Sequence, residues 1–572
     1  MGPETILALD LQNLPDVWGE GALFAYSGLD GETNTASSFV ASLHDQYFSL
    51  LFHTPEQVML YMGGEEDSDT LIATSDVLFA DTRKGYMLAS WWAWHTLVGT
   101  SPYQIVLTPI TVTGLHTRGI TVDPSGAAIA LATNRELFAV SYGATWAEAS
   151  RRAEMALAVD PYRTALQRLT DKQMLPDHPE REKDRLMKKC FSVMKVNTLS
   201  GEGRFHQFWS TPDRVPQQHL MQWDSVFHAL GMLHINPRMA WYFIKSVFDT
   251  QQEDGLIPHM TGPGGEHSKI GHPPVLGWGV WEVYERLDDK LILHDALPIL
   301  EKYLNWHFNQ RDLDRDGLLE WHRGDAVGME GSPRFDHHDR LEVLDLNVFT
   351  ALDMSYVAML LYEMGRTTQA AEWQSRSSLL SAQVHRYMWD EEDGFYYDRD
   401  MDGNFVKVRA VSGFFPLLLD DIPPEHVERL VGWLKDPQHF NAPFPVPSIA
   451  LSAPQSSGDM WRGPTWINSN FLIITGLRRH GQHEVADWLR EKTLFHVQKY
   501  YEEYGTVFEF YDSRDEEAPV DLGRLGPASK PYNLRHKVDA IRDFHWTAAL
   551  TFSLLTEDIP ERPRLGLPLP SL

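Results

Sequence analysis

A chain of 572 residues exceeds what one ordinary hydrophobic core supports, so two domains or one large helical barrel are expected. The formal net charge of −29 excludes nucleic acid and anionic membrane as partners, because phosphate surfaces need clustered Lys and Arg, and only the short run Arg181 to Lys189 is basic. The single cysteine, Cys190, excludes an intrachain disulfide and a multi-cysteine metal site. No basic, apolar leader and no window of transmembrane character stands out, so a soluble, cytoplasmic protein is expected.

In chain order, short alternating or β-branched runs come first, between about Leu23 and Tyr142. Ser49–His53, Gln104–Val112 and Leu137–Tyr142 are examples, separated by Gly, Asp and Asn turns, and together they predict a β-sandwich. Trp146–Ala158 reads as a helix, and Pro176–Glu180 as a linker. From about Arg181 the period becomes helical. Met239, Phe243 and Val247 recur at four-residue spacing beside Ala240, Ile244 and Phe248, which predicts a helix with a broad apolar stripe over 237–248. Similar segments follow near 222–233, 274–287, 293–308, 346–364, 367–388, 408–419, 424–435, 463–480, 482–502 and 543–555. About a dozen helices without strands long enough for a parallel sheet, and without a residue-level repeat, predict a barrel of paired helices rather than a solenoid. The division is therefore a β-rich domain over 1–175 and a helical catalytic domain over 181–560.

Candidate chemistry lies on the loops between these helices. Gly328-Met-Glu-Gly-Ser-Pro-Arg-Phe-Asp336 holds Glu330 in a glycine- and proline-flanked turn, with Arg334 and Asp336 to hold the turn or bind a polar ligand. A solvated surface loop has the same composition. Downstream, Gly505–Asp512 embeds Glu509 among Phe508, Phe510 and Tyr511, where burial would raise its pKa and suit proton transfer. Trp223 and Asp224 offer a stacking ring and a hydroxyl acceptor, although Asp224 reads equally as a helix cap. His259 follows a proline, a position more often structural than catalytic. Trp461, Arg462, Gly463 and Trp466 crowd a Gly-Pro turn before a helix and suit a polyol ligand. The chain also holds 19 Trp and 20 Tyr, a supply of rings with an apolar face and a polar tip.

These loops together resemble glycoside hydrolase family 63 and its clan of inverting α-glycosidases, which includes processing glucosidases, trehalases and mannosylglycerate and glucosylglycerate hydrolases. The resemblance covers roughly residues 185 to 556. It rests on Trp223-Asp224-Ser225, Asp254-Gly255 with Pro258-His259-Met260, Gly328–Asp336, Trp461–Asn468, Phe508–Asp512 and Phe544–Ala549, which includes Trp546. It implies a mainly α fold, an (α/α)6 barrel preceded by an N-terminal β-sandwich-like domain. It also implies that Glu330 is the general acid and Glu509 the general base, with Trp223, Asp224, His259, Arg334, Asp336, Trp461, Arg462, Gly463, Trp466 and Trp546 binding substrate. Where the family usually has Asp-Asn-Ser-Pro, this chain has Glu330-Gly-Ser-Pro, so Asp325 and Asp336 stand as alternative acids.

The implied reaction is exo-acting, inverting hydrolysis of small α-glucosides or of oligosaccharide ends. The alternatives are an α-mannosidase, a glucosylglycerate- or mannosylglycerate-type hydrolase, and a non-catalytic carbohydrate-binding protein on a hydrolase scaffold. A lyase or phosphorylase is disfavoured, because Glu509 stands where a phosphorylase would bind phosphate. An anionic aglycone needs extra basic residues, and only Arg334 and Arg462 stand out, which favours a neutral substrate. No cofactor is required for catalysis. Asp312, Asp314, Asp316 and Glu320 begin like a calcium loop, with oxygen ligands at alternate positions and glycine at the sixth, but Arg323 replaces the closing glutamate; a structural calcium and a plain turn both remain open. Asp398–Gly403 reads as a hairpin turn. The expected partner is a small carbohydrate, and nothing indicates an oligomer. The β-rich domain, through Ala25–Gly31, either covers the barrel mouth or stabilises the barrel.

Overall fold

The computed structural model describes residues 1–9, 11–44, 48–54, 57–63, 68–110, 114–117, 119–215, 218–322, 328–524 and 539–559. Among them, a five-stranded sheet runs from Leu23–Phe24 at one edge to Val106–Pro109 at the other, and an eight-stranded sheet from Leu115–Thr117 to Ser68–Ala73. All neighbours in both sheets are antiparallel. A shared core of Phe24, Phe39, Phe52, Leu60, Trp91 and Val140 lies between the sheets. The runs read from the sequence as strands are found at Ser49–His53, Val106–Pro109 and Leu137–Gly143.

Helices α1 (Glu4–Leu7), α2 (Trp146–Ala156) and α3 (Pro161–Gln173) flank these sheets. Asp160 caps α3 by accepting from Tyr162 and Arg163, and Pro161 at its first position has no N–H to leave unsatisfied. The helical part follows with α4 (Arg181–Val196), α5 (Gln222–Met232), α6 (Pro237–Phe248), α7 (Leu276–Leu287) and α8 (Lys290–Arg311). It continues with α9 (Leu344–Glu363), α10 (Thr367–Tyr387), α11 (Pro424–Lys435), α12 (Ile467–Arg479), α13 (His483–Tyr504) and α14 (His545–Leu555). The segment read as a helix over 408–419 is a 3-10 helix, Val411–Leu418, with Pro416 inside it.

The stripe expected on 237–248 is the buried face of α6: Met239, Ala240, Phe243, Ile244, Val247 and Phe248 are all in the core, each contributing roughly 1.5–3 kcal/mol for the larger side chains. Asn236 caps this helix by accepting from the Met239 N–H at 3.1 Å. Inner segments pack in a closed series: α5 on α7, α7 on α9, α9 on the 3-10 helix, that helix on α12, α12 on α14, and α14 back on α5. Helices α4, α6, α8, α10 and α13 lie against this inner series. Helix α9 is buried along most of its surface; it is the one described helix long and apolar enough to cross a membrane, and it serves here as a core helix. Its Asp353 accepts from the Trp278 N–H at the start of α7 at 3.0 Å, and burial raises that carboxyl to about 7.

The two parts meet through buried charge. Lys195 on α4 lies 3.2 Å from Asp30, 2.8 Å from Asp76 and 2.9 Å from Asp171, while Lys172 and Arg168 on α3 pair with Asp76 and Asp30. The loop Ala25–Gly31 is tied down at this junction, where a Cβ on Gly28 would lie 2.4 Å from the Leu199 carbonyl carbon. The hairpin expected at 398–403 is present, with Asp398–Arg399 paired to Phe405–Val406.

Candidate active site

Three of the tryptophans named in the sequence lie at the starts of inner helices. Trp223 and Trp546 are the second residues of α5 and α14, and Trp466 immediately precedes α12. Trp546 meets Trp223 edge-to-face at 6.0 Å and Trp466 at 5.6 Å, so these three helix starts converge. Trp461 lies flat on Trp466 at 3.9 Å, both 1% exposed, and the Trp466 Nε1 donates to the Met460 carbonyl at 3.0 Å. These two rings cover each other's facing surfaces and form a wall. The Trp546 Nε1 is buried among them without a hydrogen-bond partner. Gly463 permits the close turn below, since a Cβ there would lie 2.2 Å from the Ser457 carbonyl oxygen.

The Glu330 turn lies against Trp223. Gly328 and Gly331 have φ of +103° and +78°, left-handed values that glycine adopts without penalty. A Cβ on Gly328 would stand 3.1 Å from the Trp223 ring, so the turn rests directly on that indole. The Glu330 Oε1 accepts from the Gly328 N–H at 3.1 Å, and its side chain is partly exposed. Arg334 does not face the ligand space. It is buried, donates to Asp345 at 2.8 Å and to both oxygens of Asp398 at 3.3 and 3.2 Å, and Asp398 in turn accepts from the Leu344 N–H that begins α9. Those two carboxylates hold the guanidinium pKa above its ordinary value against the cost of burial. Asp336 pairs with Arg462 across the mouth, Nη1 to Oδ2 at 3.0 Å, linking this turn to the loop before α12. Asp325 lies outside the described residues.

Beneath the turn, Asp224 is 4% exposed on the first turn of α5. Burial raises its pKa well above the usual carboxylate range, and the charges of Glu330 and Glu509 push it the same way. His259 also lies within the field of Glu330, although burial, the larger influence, lowers its pKa. The His259 Nδ1 is buried without a partner, and its backbone carbonyl accepts from the Gln222 N–H at 2.9 Å. Gln222 is itself bound to Tyr303 and to the His272 N–H, which fixes the entry to α5.

Glu509 lies on an extended segment. Its N–H donates to the Ile541 carbonyl at 2.8 Å, and its Oε2 accepts from the Ile541 N–H at 3.4 Å. Arg524 grips the carboxylate, Nε to Oε2 at 2.9 Å and Nη2 to Oε1 at 3.5 Å. Burial raises the Glu509 pKa, Arg524 and the Ile541 N–H oppose that rise, and Glu330 adds to it. Arg524 was missed by the sequence reading, since the Leu522–Arg524 stretch shows neither periodicity nor a motif. Glu330, Glu509 and Asp224 thus lie within one another's electrostatic reach, with one guanidinium on Glu509, an arrangement able to offer and accept protons.

The acidic loop lies apart, ahead of the strand Glu320–His322. Oxygens of Asp312, Asp314 and Asp316 all come within 4.8 Å of one another. Glu320 is turned elsewhere: its Oε1 accepts from the Leu313 N–H at 3.1 Å and its Oε2 is held by Arg340. Glu342, 3% exposed, faces the cluster instead, and burial first, with Asp316 and Asp314 adding, raises it to about 8 against the pull of Arg399. Arg323 lies outside the described residues.

A family model described as the mannosylglycerate hydrolase MGH1-like glycoside hydrolase domain matches residues 217–547, more than half of the chain. An uncharacterized protein of Borreliella burgdorferi is 30% identical over 226 residues, 39% of this chain and 46% of that protein, so the chain spans under half of that relative's length. Mannosylglycerate hydrolase MGH1 of Selaginella moellendorffii is 24% identical over 416 residues, 58% of this chain and 81% of that protein. The crystal structure of a GH63 mannosylglycerate hydrolase from Thermus thermophilus in complex with glucose superposes with a TM-score of 0.52 at 23% identity, over 64% of this chain and 99% of that one, and supports the same fold.

Proposed function

We propose that this chain, which belongs to the MGH1-like glycoside hydrolase family, is an inverting α-glycosidase whose general acid is Glu330 and whose general base is Glu509. The observation that carries the reading is that these two glutamates, remote in sequence, both lie within electrostatic reach of the same buried Asp224. In an inverting hydrolase a carboxylic acid protonates the glycosidic oxygen while a carboxylate across the ring activates water, with the two groups roughly 6.5 to 9.5 Å apart. Glu509 fits the base because, although burial raises its pKa, Arg524 and the Ile541 N–H hold its oxygens and pull toward the charged form. Glu330 fits the acid because its carboxyl is partly exposed and, among the described residues, accepts from its own turn at Gly328. Asp224, Trp223 and the orphaned Trp546 Nε1 suit the glycone, and the closed inner series of helices supports an (α/α)6 barrel.

Arg524 alters the balance of substrates. A neutral α-glucoside is the simplest reading of the sequence, in which Arg334 and Arg462 are the basic residues that stand out. Arg334 is occupied by Asp345 and Asp398, and Arg462 by Asp336, whereas Arg524 lies on the proposed base and commits Nε and Nη2 to it out of five donors. We therefore favour an α-glucoside or α-mannoside with an anionic aglycone such as glycerate. A panel of α-glucosides and α-mannosides with neutral and glycerate aglycones tests this: the glycerate substrates should give the higher kcat/KM, and equal or lower values would return the neutral reading.

The acidic loop is proposed as a structural calcium site of Asp312, Asp314 and Asp316 with Glu342 in place of Glu320. The close carboxylate oxygens of the three aspartates, with the buried Glu342 within their field, fit a hard cation. Chelation should lower Tm and calcium restore it, with kcat on the folded enzyme unchanged. The lone buried Cys190 fits a cytoplasmic setting.

A further inference from the structure

The amino-terminal β-rich part touches the segment that carries Glu509, and one buried carboxylate makes the join. Asp543 is fully buried in a left-handed conformation, φ +51°, that aspartate tolerates better than most residues. Its Oδ2 accepts from the Leu23 N–H at 2.7 Å, so it is bonded to the first strand of the β-rich part. Its Oδ1 accepts from the Thr506 hydroxyl and lies 3.5 Å from the Lys189 Nζ on α4. The bond with Thr506 is returned, because the Asp543 N–H donates to Thr506 Oγ1 at 3.1 Å, while Asn197 holds the Asp543 carbonyl at 2.9 Å.

From this knot two strands run together toward the site. Phe508 bridges Arg542, and the Glu509 N–H meets the Ile541 carbonyl at 2.8 Å, so the ladder closed by Asp543 and Thr506 at one end holds Glu509 at the other. The β-rich part lies along both strands: a Cβ on Gly19 would come 2.8 Å from the Gly505 carbonyl oxygen, and one on Gly21 would strike Arg542 Cδ at 2.6 Å.

We propose that Asp543 and Thr506 are positioning residues for the general base, and that through them the β-rich part sets the place of Glu509. The inference rests on Glu509 being the base. The groups facing Glu509 are Arg524, Glu330 and Asp224, and a sub-ångström slip of the ladder draws it away from Arg524 and the Ile541 N–H while leaving it buried. Both lowering influences weaken together, so the carboxylate ionises at higher pH.

The test is Thr506→Val, which keeps the shape and deletes the hydroxyl, beside Thr506→Ser, which restores it, and Asp543→Asn, which keeps the size and loses the charge. A control, Leu50→Ala in the sandwich core, destabilises the β-rich part without touching the ladder. Thr506→Val and Asp543→Asn should lower kcat on the order of 10- to 100-fold with KM within about twofold. The acid limb of the kcat–pH profile should move up by about half a unit or more, and Thr506→Ser should return both. The control should lower Tm and leave the limb in place. Wild-type kcat and an unmoved limb in both replacements, or losses that follow Tm as in the control, would overturn the inference. Glu509→Gln separates the two failures: if it still turns over, the base assignment falls; if it is inactive while Thr506→Val is normal, only the positioning role falls.

Discussion

Glu330 and Glu509 press on the same buried aspartate from opposite kinds of support. The Glu330 turn is anchored by Arg334, buried between Asp345 and Asp398, while the glutamate itself, among the described residues, accepts from its own turn. On the other side, Glu509 is gripped directly, by Arg524 and the Ile541 N–H, and its segment is braced from the β-rich part. Under the proposed roles, the difference teaches how one site would keep two carboxyls apart in function. A base must remain charged, so a cation on its oxygens is favourable; an acid must carry a proton to the leaving group, so the cation that steadies its turn is engaged with other carboxylates.

Removing either carboxyl should have the largest effect. Glu330→Gln and Glu509→Gln should each lower kcat about 10³- to 10⁴-fold with the circular dichroism spectrum unchanged, and near-normal turnover in one would strike that residue from its role. Arg334→Met should act on stability instead, costing about 3–5 kcal/mol in denaturant unfolding because Asp345 and Asp398 are left buried and unpaired. If it changed kcat at unchanged stability, the division between anchor and site would be wrong.

Arg524→Met should lower kcat by about 10²-fold and move the acid limb upward, since burial would then act on Glu509 with less opposition; a downward move contradicts the pairing. The smallest stability effect is expected at Asp224. Its raised pKa means the unfolded chain gives up that proton first, so its contribution to stability is present below the usual aspartate range and is lost as pH rises toward the folded value. Asp224→Asn should therefore be the more stable protein by about 1 kcal/mol near pH 8, with the gap closing toward pH 4, while losing activity. A gap that widens on acidification would contradict the burial argument.

Helix positions were legible because burial on one face imposes a period, as the six stripe residues of α6 do. Glu509 was legible for a related reason: a carboxylate between Phe508 and Phe510 is conspicuous in an extended segment. Roles that depend on remote partners were not. Arg334 and Arg462 look alike in sequence, yet one is buried on two aspartates and the other pairs at the mouth with Asp336. Arg524 and Glu342 carry no local signal, because each owes its place to a residue elsewhere in the chain, Glu509 for one and the aspartate loop for the other. Trp461 and Trp466 read as sugar platforms, and only the structure shows that they stack on each other.

The most direct measurement follows the anomer of the first sugar released from an α-linked substrate by proton NMR before mutarotation. An acid at Glu330 and a base at Glu509 on opposite faces of the ring require the β-anomer to appear first. The α-anomer appearing first would mean that Glu509 attacks the sugar rather than a water, and would contradict the assignment.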